Sequence, residues 1–286
     1  MQNILKAGGA TAVTDTLGGE LISYKLGGRE IVWDGQSDFW TGHAPVLFPI
    51  VGALKHDEVL IDGRVCSMKK HGFARKSAFE PVEITDKRAV YTLTDSEQTL
   101  EQYPYRFRLT ITHEIGESGF STAYTVFNPD DKPIWFCIGG HAGFLLDSVE
   151  RYHLEFEQAE SCKLYYTDAD SILSDRLVCE KALRETNRLS LCYDDFDVDV
   201  LIAKDLRSRK VRLVNDQGHG VAFDFTGFDA LGIWTPPHKR APFLCLEPWN
   251  GLPACDNETG NFEDKPFAVS LAPGKAYRVG YKVQVL

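Results

Sequence analysis

Hydrophobic and polar residues alternate along much of this chain. In the segment 106–115, Phe107, Leu109 and Ile111 keep one parity, whereas the positions between them carry arginine and threonine. The segment 276–286 repeats the pattern, with tyrosine or valine at every second position. A period of two places the apolar side chains on one face of an extended backbone. Both segments are therefore predicted to be β-strands with one buried face.

Shorter segments extend this prediction to most of the chain. Four of them are rich in β-branched and aromatic residues and are bounded by turn sequences, namely 89–93, 121–127, 211–214 and 221–225. The dipeptide Asp62-Gly63 between two apolar runs predicts a hairpin turn. Helical composition is confined to 96–103 and 179–191, and strands do not alternate with long helices. With no linker or repeat dividing the chain, we predict an all-β fold, a single large antiparallel β-sandwich over residues 1–286 with few short helices.

Composition and charge narrow the class of protein and of ligand. The chain has 286 residues, of which 43% are hydrophobic and 25% are charged, and it can bury a sizeable core as globular proteins do. Its formal net charge of -10 disfavours binding to duplex nucleic acid or to an anionic membrane surface. A small ligand that is neutral, or that a local site recognises, is expected instead.

Cysteine usage and the first residues bear on the compartment. The seven cysteines are an odd number and include no Cys-x-x-Cys pair, which argues against a disulfide framework or a zinc ribbon. The chain does not begin with a basic stretch and an apolar run, and no segment approaches the roughly 18 consecutive apolar residues of a membrane span. We expect a cytoplasmic protein with no membrane partner. The sequence does not define its oligomeric state.

Three segments depart from the strand pattern because ionisable residues stand among glycines and aromatics. They are 70–75, 138–144 and 245–251. In the second, two glycines precede His141, and such glycines allow unusual backbone angles or the close approach of a ligand. His141 is therefore a candidate functional residue. The alternative is a hydrogen-bonded histidine in the core.

The other two segments contain further candidates. Glu247 follows an apolar run that predicts a buried strand, and Pro248-Trp249 is expected to end that strand. A buried glutamate there is either functional, as a general base, or paired in a structural salt bridge. His71 and Arg75 are spaced so that both could face a substrate, with the arginine offering a planar set of donors. The alternative for this pair is a solvated basic edge.

Sequence motifs for nucleophiles and cofactors are absent. The chain has no Gly-x-Ser-x-Gly, Gly-x-Gly-x-x-Gly, P-loop or His-Glu-x-x-His motif. Hydride transfer, nucleotide phosphoryl transfer and the familiar hydrolase chemistries therefore lack support. A metal site built from His71, His141 and Glu247 is a further alternative, but none of the three has a ligand neighbour at close spacing.

The motifs taken together resemble those of the aldose 1-epimerase (mutarotase) family, in particular its LacX-like bacterial branch. Six of them occur in the same order along nearly the whole chain. They are Phe48-Pro49-Ile50-Val51-Gly52, His71-Gly72-Phe73-Ala74-Arg75, Thr99-Leu100-Glu101-Gln102-Tyr103-Pro104-Tyr105, Gly139-Gly140-His141, Leu231-Gly232-Ile233-Trp234 and Glu247-Pro248-Trp249. The resemblance implies the galactose-mutarotase type of antiparallel β-sandwich, in agreement with the strand pattern.

The resemblance also implies a reaction, namely isomerisation of the α and β anomers of a hexose by acid and base catalysis. Glu247 matches the base that takes the proton of the C1 hydroxyl group, and His141 matches the acid that protonates the ring oxygen. No cofactor, metal or covalent intermediate is implied. His71 matches a second histidine that holds the substrate, and Arg75 matches a contact to the periphery of the sugar.

Two further residues complete the expected sugar site. Asp199 matches an acidic residue that hydrogen-bonds substrate hydroxyl groups in relatives, although Asp197 is close enough to leave that match open. Trp234 is expected to form an aromatic wall for the C–H face of the sugar, as Trp249 could also do. Core packing is the alternative role for both tryptophans.

One departure from the family pattern affects the expected substrate. Relatives commonly carry an arginine where this chain has Ala53, and Lys55 is the nearby cation that could replace it. Related hexose-6-phosphate mutarotases hold the phosphate with such arginines, so Ala53 argues against a phosphosugar. A hexose-6-phosphate mutarotase and a non-catalytic sugar-binding or sugar-sensing protein remain the alternatives.

Overall fold

The computed structural model describes residues 1–286 and consists mainly of β-strands. The first twelve strands are β1 (Gln2–Ala7), β2 (Ala10–Asp15), β3 (Glu20–Leu26), β4 (Arg29–Glu30), β5 (Val46–Leu47), β6 (Glu58–Ile61), β7 (Arg64–Ser67), β8 (Glu80–Ile84), β9 (Arg88–Thr94), β10 (Arg108–Ile115), β11 (Gly119–Phe127) and β12 (Ile134–Phe136). The others are β13 (Ile138–Gly140), β14 (Ala142–Leu145), β15 (Tyr152–Cys162), β16 (Tyr165–Thr167), β17 (Leu173–Val178), β18 (Leu183–Ser190), β19 (Leu201–Ala203), β20 (Lys210–Asn215), β21 (Gly220–Asp224), β22 (Ala230–Trp234), β23 (Phe243–Asn250), β24 (Val269–Leu271) and β25 (Ala276–Val285).

Helical structure is limited to short elements. The single α-helix is α1 (Glu97–Gln102), within the segment of predicted helical composition, and it starts at Ser96, whose side chain accepts a hydrogen bond from the Thr99 N–H group. The 3-10 helices are Lys55–Asp57, Ala74–Lys76, Val149–Arg151, Tyr193–Phe196 and Phe262–Asp264. No helix is long and apolar enough to cross a membrane.

Two large antiparallel sheets dominate the architecture and confirm the predicted fold class. The larger has nine strands in the order β18-β15-β20-β21-β25-β11-β10-β9-β8. The second has eight strands, with β17-β16-β19-β22-β23-β13-β5 in sequence and β14 paired beside β23. A four-stranded sheet, β1 to β4, and the two-stranded pairs β6-β7 and β12-β24 complete the fold. One cluster of 76 buried residues, from Leu5 to Val283, forms the core.

The alternating segments form strands of the nine-stranded sheet as predicted. β10 and β25 cover the segments 106–115 and 276–286 to within two residues, and both pair with β11. In β11 every second residue is buried and the others are half-buried. The hairpin of β6 and β7 turns at Asp62-Gly63, as expected from the sequence. The period-two pattern therefore located these strands because one face of the sheet lies on the core.

The segment 179–191 is not helical, so the expectation from its composition is wrong. Residues Leu183–Ser190 form β18, which pairs with β15. Leu183 and Leu189 are buried, while most of the charged and polar residues between them are exposed. Because β18 lies at the edge of the sheet, its glutamate and arginine side chains extend into solvent while pairing on one side fixes the backbone as a strand.

Strand β23 is the central element of the eight-stranded sheet. All eight of its residues are buried, which confirms the buried strand predicted before Glu247. The expectation that Pro248-Trp249 ends the strand is wrong, since β23 continues to Asn250. Pro248 lacks an N–H group, and it lies where the neighbouring chain passes from β13 to β14 and the ladder is interrupted. The missing donor is therefore tolerated in the middle of a sheet.

Gly140, in β13, is required by packing between the two large sheets. A Cβ atom built there would lie 2.8 Å from the Tyr281 ring and 2.9 Å from the Tyr124 hydroxyl group. Its φ angle is not in the left-handed region, so close approach of these two tyrosines, rather than unusual backbone geometry, explains this glycine.

Replacing Gly140 with alanine should therefore destabilise the protein. We expect a loss of about 1–3 kcal/mol in the free energy of unfolding, because the added methyl group overpacks a fully buried site. Urea denaturation followed by tryptophan fluorescence measures this difference. Gly9→Ala is the matched control, since a Cβ atom there meets nothing within 4 Å. Equal stability of Gly140→Ala and the wild type would show that the tyrosines move freely.

Candidate active site

The register of β23 brings His141 and Glu247 together. The pairs Gly139–Trp249 and Ala142–Leu246 keep the same antiparallel register on either side of His141, so His141 lies opposite Glu247. Residues opposite each other across two strands project to the same face of the sheet. His141 Nε2 and Glu247 Oε1 are accordingly 3.2 Å apart, and both side chains are buried. The two residues singled out most strongly by the sequence thus form a direct pair.

The other neighbour of β23 contributes a glycine and a tryptophan around this pair. Gly232 of β22 lies opposite Glu247, and the Trp249 indole ring occupies the place of its missing side chain, since a Cβ atom there would lie 2.5 Å from that ring. Trp234, two residues further along β22, projects to the same face and meets the His141 ring edge to face at 5.3 Å. The tryptophan therefore borders the space above the pair instead of filling it.

His71 lies in a turn that packs against the segment 48–52, and its side chain faces the His141–Glu247 pair. The His71 N–H group donates to the Gly52 carbonyl oxygen at 2.8 Å, and the Gly52 N–H group donates to His71 Nδ1 at 3.1 Å. Gly72 permits close packing here, since a Cβ atom would lie 2.3 Å from the Phe48 carbonyl oxygen. Because Nδ1 accepts a hydrogen bond, the neutral ring carries its proton on Nε2. His71 can thus offer a ring N–H donor.

All six residues expected to form the site line one cavity of about 210 Å³. They are His71, Arg75, His141, Asp199, Trp234 and Glu247. Arg75 is held by a hydrogen bond from Nη2 to the Lys70 carbonyl oxygen at 2.9 Å, and its buried Nε has no protein partner. The solvated edge considered for this region applies instead to Lys69, which is exposed and paired with Asp57.

The structure distinguishes between the two aspartates that the sequence left open. The indole N–H group of Trp234 donates to Asp199 Oδ1 at 3.0 Å, which fixes Asp199 in the cavity wall. Asp197 is exposed and pairs with His238 Nδ1 at 3.0 Å outside the cavity. Asp199 is therefore the residue positioned to contact a ligand.

Trp40 is a cavity residue that the sequence analysis missed. Its ring stacks on the His141 ring at 4.7 Å with an interplanar angle of 29°. Hydrogen bonds hold the loop that carries Trp40. Lys239 Nζ donates to the Asp38 and Phe39 carbonyl oxygens. Trp33 Nε1 donates to the Trp40 carbonyl oxygen. A pair of aromatics within a polar, glycine-containing loop was the available signal. Thr167 and Ser171 also line the cavity and were not singled out, and Lys70, from the segment 70–75, lines it too.

Burial keeps the two histidines and the glutamate close to their neutral forms. The pKa of His141 is lowered to about 3, mainly by burial and further by the charge of Arg75. Burial also lowers the pKa of His71 well below its ordinary value, with His141 and Arg75 adding to the effect. The pKa of Glu247 is raised well above its ordinary value, because burial outweighs the opposing charge of Lys70. Burial is thus the main cause of all three shifts.

The alternatives that the sequence left open can now be compared with these contacts. Glu247 has no lysine or arginine within ion-pair distance and contacts His141 instead. His141 faces the cavity, and its buried Nδ1 has no protein partner. No group of three or more His, Cys, Asp or Glu side chains is arranged to hold a metal ion. The pair thus has the geometry of a proton-transfer site.

Lys55 does not replace the arginine that is absent at Ala53. Its Nζ donates to the Asp256 carbonyl oxygen at 2.9 Å, and it does not line the cavity. Ala53 itself is buried. The cations that do line the cavity are Lys70 and Arg75.

A larger concavity of about 900 Å³ lies over the nine-stranded sheet but lacks comparable chemistry. Its lining includes no histidine, and several of its charges are already paired. Arg212 Nη1 lies 2.8 Å from Glu155 Oε2, and Lys210 Nζ lies 3.9 Å from Glu157 Oε1. Size alone therefore does not identify the functional site of this protein.

Comparison with known proteins identifies the family. The sequence model of the family described as aldose 1-epimerase matches residues 1–284. The chain belongs to the aldose 1-epimerase family. Within it, the plasmid-encoded protein LacX of Lactococcus lactis subsp. lactis is 31% identical over 284 residues, which is 95% of each chain. The resemblance inferred from the six motifs is confirmed.

Solved structures of similar proteins confirm the fold. A galactose mutarotase related enzyme from Lactobacillus acidophilus has a TM-score of 0.93 at 28% identity, covering 100% of this chain and 97% of that one. A galactose mutarotase-like protein from Lactobacillus casei has a TM-score of 0.90 at 28% identity and full coverage of both chains. Membership of the aldose 1-epimerase family, together with this fold, supports a sugar epimerase or mutarotase role.

The stacking of Trp40 on His141 generates a testable prediction. In Trp40→Leu the His141 ring loses part of its cover, so its pKa should rise from about 3 toward the ordinary value of about 6.5. An NMR titration of the histidine ring signals measures this change. His113, buried by other residues with a pKa lowered to about 4, should not respond, and Trp40→Phe should keep the low His141 value. An unchanged His141 titration in Trp40→Leu would mean that other residues bury the ring.

Proposed function

We propose that this protein is a mutarotase that interconverts the anomers of a free aldose without a cofactor, with Glu247 as the base and His141 as the acid. The observation that carries the proposal is the buried contact of 3.2 Å between His141 Nε2 and Glu247 Oε1 at the cavity. In the reaction, Glu247 takes the proton of the C1 hydroxyl group while His141 gives a proton to the ring oxygen. The bond between C1 and the ring oxygen breaks, and an aldehyde forms at C1.

Re-closure of the ring completes the exchange of anomers. Rotation about the bond between C1 and C2 presents the other face of the aldehyde to the C5 hydroxyl group. His141 then takes back the hydroxyl proton, and Glu247 returns a proton to the C1 oxygen. Each group ends as it began, so no other reactant is consumed.

The separation of the pair suits this chemistry. The C1 hydroxyl oxygen and the ring oxygen are bonded to the same carbon, so an acid and a base that serve both must be close neighbours. Protonated Glu247 with neutral His141, and ionised Glu247 with protonated His141, contain the same number of protons. They differ by one proton transfer along the contact between the two side chains. Ring opening starts from ionised Glu247 with protonated His141 and leaves both groups neutral, the state that burial favours.

The surrounding residues support the binding of one sugar ring. His71 offers an Nε2–H donor, Arg75 offers guanidinium donors, and Trp234 presents an aromatic edge beside His141. The cavity of about 210 Å³ is smaller than the about 300–1,000 Å³ typical of drug-sized ligands. A monosaccharide therefore fits better than an oligosaccharide.

Removing either member of the pair should abolish most of the activity. Glu247→Gln and His141→Asn should each lower the catalysed rate of anomer exchange by about 100-fold or more, because a positioned acid or base is lost. Polarimetry of freshly dissolved α-glucose and α-galactose, corrected for the spontaneous rate, measures this loss. His219→Asn and Glu263→Gln, both at exposed positions, are the matched controls.

Two results would count against the proposal. A Glu247→Gln protein that is folded and still works at the wild-type rate would exclude this carboxylate as the base. Saturable sugar binding by a wild-type protein that does not accelerate anomer exchange would instead support the sugar-sensing alternative.

The buried pair also predicts an unusual pH profile. Activity requires one proton on the pair, and a second proton binds only when the pH falls toward the His141 pKa of about 3. The catalysed kcat/KM should therefore not decline as the pH falls through about 6.5, where an ordinary histidine titrates. Exchange NMR with subtraction of the spontaneous rate at each pH provides the measurement. An acidic limb centred near 6.5 would mean that the essential histidine is not held in its neutral form.

A further inference from the structure

Lys70, Asp199 and Ser171 form a polar cluster in the cavity wall. Lys70 Nζ lies 3.3 Å from Asp199 Oδ2 and 3.2 Å from Ser171 Oγ. Asp199 Oδ1 accepts the indole N–H group of Trp234, whose ring edge meets His141. The cluster is thus separated from the proposed acid by one aromatic ring. Lys70 directly precedes His71 in the chain, and none of the six family motifs includes it.

The cluster has free capacity for hydroxyl groups. An ammonium group has three donors, and two of those of Lys70 point at Asp199 and Ser171, which leaves one for a ligand. A carboxylate has about four acceptor sites, and Asp199 uses three of them, for Trp234, for Lys70 and, at 3.5 Å, for Thr167, which leaves one for a ligand. A sugar hydroxyl group both donates and accepts, so it can bind such a pair through both functions.

The cluster also has no net charge. Lys70 and Asp199 offset each other at contact distance. A phosphate or carboxylate that approached Lys70 would meet the carboxylate of Asp199 beside it. Juxtaposed like charges oppose binding where they are partly buried. The pair therefore attracts hydroxyl groups and repels anions.

We propose that the Lys70–Asp199 ion pair is the specificity element of this cavity, which admits uncharged sugars and excludes sugars that carry a phosphate or carboxylate group. This rests on the proposed function for the nature of the ligand. It also explains why the arginine missing at Ala53 has no substitute at Lys55. The ligand's far hydroxyl groups are met by Lys70 from another segment of the chain, already neutralised by its aspartate.

Asp199→Asn tests the proposal because it removes charge and little else. The amide oxygen of asparagine can still accept the Trp234 N–H group, so the ring keeps its partner, whereas Lys70 loses its counter-charge. The ratio of glucose 6-phosphate affinity to glucose affinity should shift by about 10-fold or more toward the phosphate. Lys70→Met should weaken glucose binding, and in Asp199→Asn combined with Lys70→Met the shift toward phosphate should disappear.

Binding is measured by isothermal titration calorimetry with glucose, galactose, glucuronate and glucose 6-phosphate, so that the result does not depend on turnover. Asp197→Asn and Lys69→Met are matched controls, because they make the same changes of charge nearby but outside the cavity. Both should keep the wild-type ratio of affinities.

The outcomes separate this proposal from the proposed function. An unchanged affinity ratio in Asp199→Asn, or wild-type protein that binds glucose 6-phosphate as tightly as glucose, would overturn the role of the ion pair. Wild-type protein that selects uncharged sugars through the pair, yet does not accelerate anomer exchange, would support the ion pair and overturn the mutarotase assignment. Wild-type protein that binds none of the four sugars would overturn both.

Discussion

Burial of a carboxyl group in the middle of a β-sheet is the constraint around which this structure is organised. Glu247 is 2% exposed on a strand whose eight residues are all buried. An isolated charge in such a place is strongly disfavoured, so the group must be neutral or share its charge with a close partner. The register of the adjacent strand supplies His141 as that partner. Sharing a proton with His141 reduces the cost of burying Glu247, and the proposed chemistry uses the same contact.

The elements around the pair are arranged to keep it buried and still accessible to a ligand. Trp40 covers one face of His141, while Glu247 still lines the cavity. His71 has a φ angle of 69°, in a region that costs a non-glycine residue energy, and two hydrogen bonds with Gly52 hold it there. Strain of this kind persists where the surrounding structure fixes the backbone. Here it aims a ring N–H donor toward the cavity.

Much of the fold and part of the site could be predicted from the sequence, for different physical reasons. The period of two located β10 and β25 because each has one face on the core. Composition predicted a helix over 179–191 and failed there, because edge pairing fixes β18 as a strand. His141 and Glu247 stood out because glycines and a buried apolar run are unusual surroundings for ionisable groups. Trp40 did not stand out, since its role depends on a loop folding back onto another segment.

Ligand specificity was harder to predict from the sequence than the proposed chemistry, because it depends on an ion pair between distant segments of the chain. The proposed acid and base lie opposite each other on neighbouring segments of one sheet, so a register of a few residues determines their distance. Lys70 and Asp199 are 129 residues apart in the chain, and nothing local to either one indicates that they neutralise each other. Counting cations near the family motifs suggests a surplus of positive charge, from Lys69, Lys70 and Arg75. In the folded protein Lys69 lies outside the cavity, and Lys70 is offset by Asp199. Recognition of hydroxyl groups then depends on the direction of hydrogen bonds rather than on net charge.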